Sequence, residues 1–472
     1  MNWTNIPNMR TCAFGRGGCA RTLLALALAG ALALPALPAF ADVRKSDQIG
    51  DSTVEALGLS VGDCPDVAAD YAVLVDSAGR PLFQRQATAP AQIASITKVM
   101  TALVSMEYLK LDDQIVVSEA AAAIGESSAN LRAGDAMSFE TALKALLVPS
   151  GNDAAVAISE AAGQTILERE PSLGDTPAAA FVAKMNEKAK ELGCTDTVYE
   201  NPHGLDDGSF AGSLHSTASD QALIAAKAMD SDVIAAIVKG GSTSIVVKRG
   251  GSNTQIDLQT TDALLEMYDR AIGVKTGETL LAGPSFMGAA SDGSMKFYAV
   301  VLHSDTAQTR FDDAKALFEW GYRHYIDYRL INADQTVSMA ANSTVTEVPL
   351  VAQVKLADRH DAVLDVTISD PNASQRVFDL DGNVSQDVEI DDGALSGVVK
   401  AGQKVGSISF KQHNQTIARY DLLAAETVDA PGIFDRVSNW FWGLFGSSDD
   451  RQNVVTVHNN MPIIKNNQKN QA

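Results

Sequence analysis

The sequence predicts an α+β fold, in which an antiparallel sheet with helices packed on it is followed by a small all-β domain. Between residues 42 and 334, short β-rich runs alternate with longer segments of helical periodicity. From residue 335 to 425 that periodicity disappears, and short alternating strands rich in Thr, Val and Asp follow. A chain of 472 residues is too long for one ordinary core, so more than one domain is expected.

Residues 1–41 predict a secretory signal peptide. They contain three arginines and no acidic residue, an apolar run from Leu23 to Leu34, and a small-x-small cleavage site at Ala39-Phe40-Ala41. The alternative is an uncleaved anchor, but this run of 12 residues is too short to span a bilayer. We therefore expect an exported protein that acts at the outer face of the cytoplasmic membrane or in the cell wall.

The elements of the first domain follow from apolar spacing and turn residues. Residues 71–75 and 81–84 predict a hairpin. Helices are expected at 95–109, 139–147, 153–163, 175–192, 217–229 and 309–325, and further strands at 243–248, 271–276, 284–290 and 296–303.

The end of the chain predicts a surface anchor. Residues 426–432 are typical of a linker, and on a helical wheel the apolar and aromatic side chains of residues 433–446 share one face. Such a helix can lie in a membrane interface. A core helix is the alternative, but no further domain follows that could cover it, and residues 447–472 predict a disordered polar tail.

Charge and cysteine content exclude several classes of protein. With 37 Lys+Arg against 58 Asp+Glu the net charge is −21. The sequence has no long basic stripe, so a nucleic-acid-binding protein is not expected. Neither a Cys-x-x-Cys pair nor a His-Glu-x-x-His motif occurs, so no metal or other cofactor is expected. Only Cys64 and Cys194 follow the leader, and the sequence leaves open whether they form a disulfide.

Ser95 and Lys98 are the first candidate catalytic pair. Ser95-Ile96-Thr97-Lys98 is the only Ser-x-x-Lys in the chain, and on a helix these two residues share one face. A serine needs a base to become a nucleophile, and a lysine acts as one when burial or a nearby cation lowers its pKa. Alone, the motif is more often a helix cap followed by a surface lysine.

Two further motifs change that interpretation. Ser150-Gly151-Asn152 lies between two predicted helices, on a tight turn that can direct a hydroxyl and an amide into a cleft. Ser128-Ala129-Asn130 has the same pattern without the two flanking helices, and we reject it. Lys275-Thr276-Gly277 ends a predicted strand, where the glycine allows another backbone to approach and the lysine and threonine can bind an anion. The ordered triple is a signature of penicillin-binding proteins and class A β-lactamases.

The segment 66–328 resembles the serine D-alanyl-D-alanine carboxypeptidases, the low-molecular-mass penicillin-binding proteins of peptidase family S11. The likeness includes the longer runs 94–103 and 149–155, and Asn201-Pro202-His203-Gly204-Leu205. The resemblance implies a β-lactamase/transpeptidase-like catalytic domain. The later β region and the terminal helix match the family's order of parts.

The resemblance also implies the residue roles. Ser95 would be the acylated nucleophile, Lys98 its general base, and Ser150 a proton relay to the leaving amine. Substrate would be bound by the following residues: Asn152, Lys275, Thr276, Gly277 and Arg310. The backbone N–H groups of Ser95 and Glu278 would form the oxyanion hole.

Two positions depart from the family pattern. Glu278 stands where the family usually has His, which places an acid beside the carboxylate site, and Pro284 removes a donor from a strand near the site. His203 and His215 could suggest a Ser-His enzyme, but no Gly-x-Ser-x-Gly elbow is present, so packed or capping histidines are expected.

The sequence therefore predicts an exported serine carboxypeptidase. It would remove the terminal D-Ala from peptidoglycan stem pentapeptides, bind β-lactams covalently, and associate with the membrane surface through residues 433–446. Two alternatives are a β-lactamase on the same machinery and a cell-wall-binding protein with a weakened site. No Glu-x-x-Leu-Asn was found for the former, and the intact motifs argue against the latter.

Overall fold

The computed structural model describes residues 44–341, 344–356, 358–359, 362–433, 437 and 455–464. The predicted signal peptide lies outside the described residues. So does the predicted amphipathic segment, except for Ile433 and Val437, which are helical and exposed. Within the described part of the chain, no helix is both long and apolar enough to cross a membrane.

The helices lie mostly before residue 330. Their bounds are α1 Val54–Leu57, α2 Lys98–Tyr108, α3 Glu119–Ala123, α4 Phe139–Leu147, α5 Asn152–Arg169, α6 Pro177–Glu191, α7 Ala218–Met229, α8 Asp232–Lys239, α9 Leu264–Met267 and α10 Thr309–His324.

The strands occur in both regions of the chain. Those of the first region are β1 Gln48–Ile49, β2 Ser52–Thr53, β3 Tyr71–Asp76, β4 Pro81–Arg85, β5 Gln114–Val116, β6 Ala136–Ser138, β7 Thr243–Arg249, β8 Ser252–Leu258, β9 Ala271–Gly277, β10 Ser285–Ser291, β11 Lys296–Leu302 and β12 Tyr325–Arg329. Those of the second are β13 Thr336–Ala341, β14 Thr344–Pro349, β15 Ala352–Lys355, β16 Val363–Ile368, β17 Ser374–Phe378, β18 Ser385–Ile390, β19 Lys404–Gln412, β20 Gln415–Ala424 and β21 Val455–Val457.

The main sheet is antiparallel, with the strand order β2-β1-β4-β3-β11-β10-β9. The predicted α+β class is thereby confirmed. Strand β9 stands at one edge, and this edge carries Lys275, Thr276 and Gly277. The third motif therefore lies where the backbone of the sheet is open to a further chain.

Both faces of this sheet are covered. On β3, Val73 and Val75 face a core that includes residues of α2 and α4 to α8, whereas Leu74 faces a second core against α10. A strand that is buried on both faces has a continuous apolar run in its sequence, and residues 71–75 of β3 show this pattern. The main sheet therefore lies between two cores.

The cysteines lie in different cores. Cys64 belongs to the α10 side and Cys194 to the other, and both are free and buried. Burial raises the pKa of Cys64 to about 11 and that of Cys194 to about 12, so both thiols stay protonated at neutral pH. The disulfide that the sequence left open is not formed.

The C-terminal region is all-β, as predicted. Its main sheet has the order β18-β19-β20-β16-β15-β21, and β13 pairs with β14 as a hairpin. Strand β12 pairs with β17, so a ladder joins the helical and the all-β parts of the chain. The residues 42–472 form one compact unit, and the domain boundaries at 334 and 425 stay a prediction.

The predicted tail 447–472 is wrong in its middle part. Residues 455–457 form an edge strand on β15, Asn459 is buried and donates to the Leu330 carbonyl at 2.8 Å, and Ile464 packs on the β core. In the predicted linker 426–432, Val428 pairs with Val399. Polar composition hid these contacts, because an edge strand needs backbone partners more than apolar side chains.

Candidate active site

Ser95 and Lys98 are in hydrogen-bond contact. Ser95 lies in a 3₁₀ turn, Ala94–Thr97, and Lys98 is the first residue of α2, so the one-face geometry expected from the spacing is present. Lys98 Nζ is 2.7 Å from Ser95 Oγ and donates to the His203 carbonyl at 2.8 Å. The amine is thus fixed between the serine hydroxyl and a backbone acceptor.

Lys98 has the electrostatic properties of a base. Its side chain is fully buried, and burial, followed by the positive charge of Lys275, lowers its pKa well below the usual value, with Asp153 opposing the shift. A neutral amine beside a serine hydroxyl can accept the proton of that hydroxyl. This environment separates Lys98 from an ordinary surface lysine after a helix cap.

The segment Asn201–Gly204 supports the Ser95 turn. The Pro202 carbonyl accepts a hydrogen bond from Thr101 on α2 at 2.6 Å, next to the bond from Lys98 to His203. Gly204 has φ +90°, and a Cβ there would overlap the Ala94 carbonyl. Only glycine allows this close approach, which explains why a glycine follows His203.

His203 has a structural role, as expected. Burial, followed by the charge of Lys98, lowers its pKa to about 3, so the ring is neutral. Its Nδ1 accepts from the Leu205 N–H at 3.1 Å, and its ring lies edge-on to Phe210. The side chain stabilises the loop while the carbonyl orients Lys98.

Ser150 lies on the turn between α4 and α5, as predicted. It is buried and has φ +66°, a backbone conformation that holds a tight turn. A Cβ on Gly151 would come within 2.6 Å of the Ala145 carbonyl. Asn152 starts α5 and donates to the Gly125 carbonyl at 3.1 Å, while its Oδ1 is buried without a partner among the described residues.

Asp153 is a site residue that the sequence reasoning missed. Its buried carboxylate accepts from Ser128 Oγ at 2.6 Å and from the N–H groups of Ala129 and Leu131, each at 3.0 Å. The rejected motif Ser128-Ala129-Asn130 therefore holds the loop that packs against the Ser150 turn. The signal available in the sequence was an acidic residue directly after Ser150-Gly151-Asn152, at the start of a predicted helix.

Strand β9 lies against the Ser95 turn. A Cβ on Gly277 would come within 2.5 Å of the Ile93 carbonyl and 3.3 Å of the Ile96 nitrogen. This contact brings the end of β9, with the Glu278 N–H, beside Ser95. Thr276 Oγ1 is 2.6 Å from Thr261 Oγ1, which fixes its hydroxyl.

Lys275 is buried beside an unexpected carboxyl group. Burial lowers its pKa to about 7, with Asp262 opposing the shift and Arg310 adding to it. Asp262 is itself buried, and its pKa is raised to about 7, mainly by burial. No motif identified Asp262, since its position follows from the loop before α9 folding onto β9.

Arg310 is at the start of α10, as the resemblance implied, and it is already paired. Its Nη1 donates to the Glu278 carboxylate at 2.9 Å and to the Gly277 carbonyl at 3.3 Å. Burial lowers the pKa of Arg310, whereas Glu278 acts to raise it. Pro284, the other departure from the family pattern, directly precedes β10, and its carbonyl accepts a hydrogen bond from the Ser304 N–H.

The predicted residues thus belong to one connected site. The Ser95 turn touches β9 through Gly277, Lys98 and Lys275 are close enough for their charges to interact, and Asp153 acts on Lys98 from the Ser150 side. The site offers a hydroxyl, a buried amine whose pKa is lowered, an amide and a set of cations at one sheet edge. This combination suits acyl transfer from a substrate with a terminal carboxylate.

Comparison with known proteins agrees with this chemistry. The family model for D-alanyl-D-alanine carboxypeptidase (peptidase S11) matches residues 60–306. Two carboxypeptidases of that name are similar over most of their length. DacF of Bacillus subtilis is 29% identical over 77% of this chain and 87% of its own, and DacC of Escherichia coli is 28% identical over 82% and 91%.

Solved structures show the same fold. A variant of the Streptomyces K15 DD-transpeptidase has a TM-score of 0.50 and 29% identity, over 55% of this chain and all of its own. The DacD structure from Francisella tularensis is 23% identical with a TM-score of 0.52, over 77% of this chain and 94% of its own, and supports the fold alone. The chain belongs to the D-alanyl-D-alanine carboxypeptidase family of serine peptidases, peptidase S11.

Proposed function

We propose that this enzyme removes the terminal D-Ala from peptidoglycan stem pentapeptides through an acyl-enzyme on Ser95, and that penicillins acylate the same serine. The observation that supports this most is the 2.7 Å contact between Ser95 Oγ and the buried amine of Lys98. Burial and the charge of Lys275 lower the pKa of Lys98, which favours its role as the general base.

The first half of the reaction forms the ester. Ser95 Oγ attacks the carbonyl carbon of the penultimate D-Ala while Lys98 takes the hydroxyl proton. The N–H groups of Ser95 and Glu278 stabilise the oxyanion. Ser150 passes a proton to the leaving nitrogen as the C–N bond breaks, and D-Ala departs.

Substrate orientation uses the other predicted residues. Lys275, Thr276 and Arg310 bind the terminal carboxylate, and Gly277 leaves room for the substrate strand along β9. The buried, unpaired Oδ1 of Asn152 accepts the amide N–H of the acyl part. Water then hydrolyses the ester, with Lys98 as the base that activates it.

Two further proposals concern location. Residues 1–41 direct export, and residues 433–446 attach the protein to the membrane surface through their apolar face. The exposed Ile433 and Val437 are two apolar members of that face. Membrane binding that persists after deletion of residues 433–446 would contradict the attachment.

The reaction is tested with fluorescent penicillin and a D-Ala-D-Ala pentapeptide, using the mature enzyme beside Ser95→Ala. Long-lived, Ser95-dependent label together with D-Ala release is the expected result. Rapid loss of label with drug hydrolysis would instead indicate a β-lactamase. Absence of Ser95-dependent label would reject both enzymatic functions.

A further inference from the structure

The cation expected to bind the substrate carboxylate already holds an internal carboxylate. Arg310 Nη1 is 2.9 Å from Glu278 Oε2, and the Arg310 side chain is only 10% exposed while that of Glu278 is 55% exposed. Among the described residues, Arg310 forms its ion pair with Glu278. The exposed partner can swing into solvent, whereas the buried one cannot move far.

The guanidinium retains capacity for another acceptor. Arg310 Nε is buried and has no hydrogen-bond partner in the described part of the chain. The Gly277 carbonyl accepts from Nη1, which keeps the guanidinium at the end of β9, next to Thr276. Glu278 therefore occupies the place where a carboxylate bound at the end of β9 would arrive.

The charges around this place nearly cancel. Lys275 and Arg310 are the cations, and Asp262 and Glu278 are the acids that face them from the loop before α9 and from the residue after β9. An incoming carboxylate meets the negative charge of Glu278 and must displace it from Arg310. That exchange replaces one charge-assisted bond by another, so it weakens the net gain from binding.

We propose that Glu278 is a specificity-determining residue, a resident counter-ion that competes with the substrate's terminal carboxylate for Arg310. This inference rests on the proposed function. Glu278 raises KM for substrates with a charged leaving group and has little effect on substrates whose leaving group is uncharged. It acts through Arg310, while its backbone N–H stays in the oxyanion hole because Thr279 is held by Asp206 at 2.8 Å.

The test compares two thioesters that share one scissile bond. One is an N-acyl-D-alanyl thioglycolate with a free carboxylate, and the other is its methyl ester. Glu278→Gln keeps the shape and the N–H but removes the charge, so KM for the charged thioester should fall about fivefold, as expected for a partly exposed ion pair. The result that supports the inference is a change in the ratio of the two KM values, because any effect of the substitution on the Glu278 N–H is common to both substrates.

Glu389→Gln is the matched control, because Glu389 forms an exposed pair with Arg419 in the C-terminal sheet at 2.8 Å. It changes the net charge equally and should leave both KM values unchanged. An unchanged or higher KM of Glu278→Gln for the charged thioester, or an equal change for both substrates, overturns the inference alone. A wild-type enzyme that cleaves neither thioester and binds no penicillin overturns the proposed function, and the inference with it.

Discussion

Asp153 offers a sharp test of how the active site is held together. Its carboxylate is 1% exposed and accepts hydrogen bonds from Ser128 Oγ and from the N–H groups of Ala129, Leu131 and Ala154, at 2.6 to 3.0 Å. Replacing Asp153 by Ala leaves several buried N–H groups without an acceptor. The loop 127–131 then loses its attachment to the turn that carries Ser150.

The expected loss can be worked from these bonds. A hydrogen bond to a charged group contributes about 1.5–3 kcal/mol, but four bonds to one carboxylate are not additive, and part of the loop can reach water. We expect Asp153→Ala to lower the free energy of unfolding by about 3–4 kcal/mol. For a compact unit spanning residues 42–472, with an unfolding entropy of about 2.1 cal/mol/K per residue, the melting temperature should fall by roughly 3–4 °C.

The assay separates stability from catalysis. Asp47→Ala is the control, because it breaks the buried pair of Asp47 with Arg85 at 2.6 Å, at the end of the sheet opposite β9, with a comparable loss of stability. Well below the melting temperature, Asp153→Ala should acylate with penicillin at least tenfold more slowly, and Asp47→Ala at the wild-type rate. Equal acylation rates in the two variants would refute the positioning role, and an unchanged melting temperature would refute the hydrogen-bond argument.

Other predictions follow from the buried charges and from the C-terminal strand. Lys98→Met should abolish penicillin acylation and raise the melting temperature, because it replaces a desolvated amine by an apolar side chain of similar size. kcat/KM for a carboxylate-terminated substrate should fall as the pH rises above about 7, where Lys275 loses its proton, and a pH profile of the methyl ester should show a smaller decline. Asp262 has a raised pKa of about 7, so its stabilising contribution is present below pH 4 and is lost as the pH rises through 7. Asp262→Asn should therefore flatten the dependence of unfolding free energy on pH between 4 and 8, as measured by urea denaturation. Deleting residues 455–464 should lower the melting temperature of the C-terminal sheet and leave acylation unchanged, and a calorimetric trace identical to the full chain would contradict the edge-strand contact.

Much of the fold was predictable because its signals are local. Two apolar runs around a turn predict the hairpin of β3 and β4, and α4 occupies the predicted residues 139–147. Some elements were not identified. Helix α8 was missed although Ile234, Ile237 and Val238 follow a helical period. Strand β8 was missed as well, and it exists because it pairs along its length with β7. A short strand with many polar residues shows little apolar alternation of its own, so its pairing with a neighbouring strand decides its conformation.

For the site, residue types and spacing identified the candidate residues, and the structure supplied their environment. Ser95, Lys98, Ser150 and Lys275 were found because the three motifs that contain them occur in the order typical of penicillin-binding proteins. Asp262 was not found, because nothing in its neighbours along the chain shows that it will be buried beside Lys275.

The sequence by itself determined the α+β class, the three motifs and the presence of an acid after Lys-Thr-Gly, since each is a property of neighbouring residues. Only the tertiary structure decided that Lys98 is fully buried, that residues 455–457 return to the sheet, and that Glu278 pairs with Arg310 across 32 positions. Burial and ion pairing depend on which distant segments are in contact, and those contacts set the pKa of Lys98 and the charge at the end of β9.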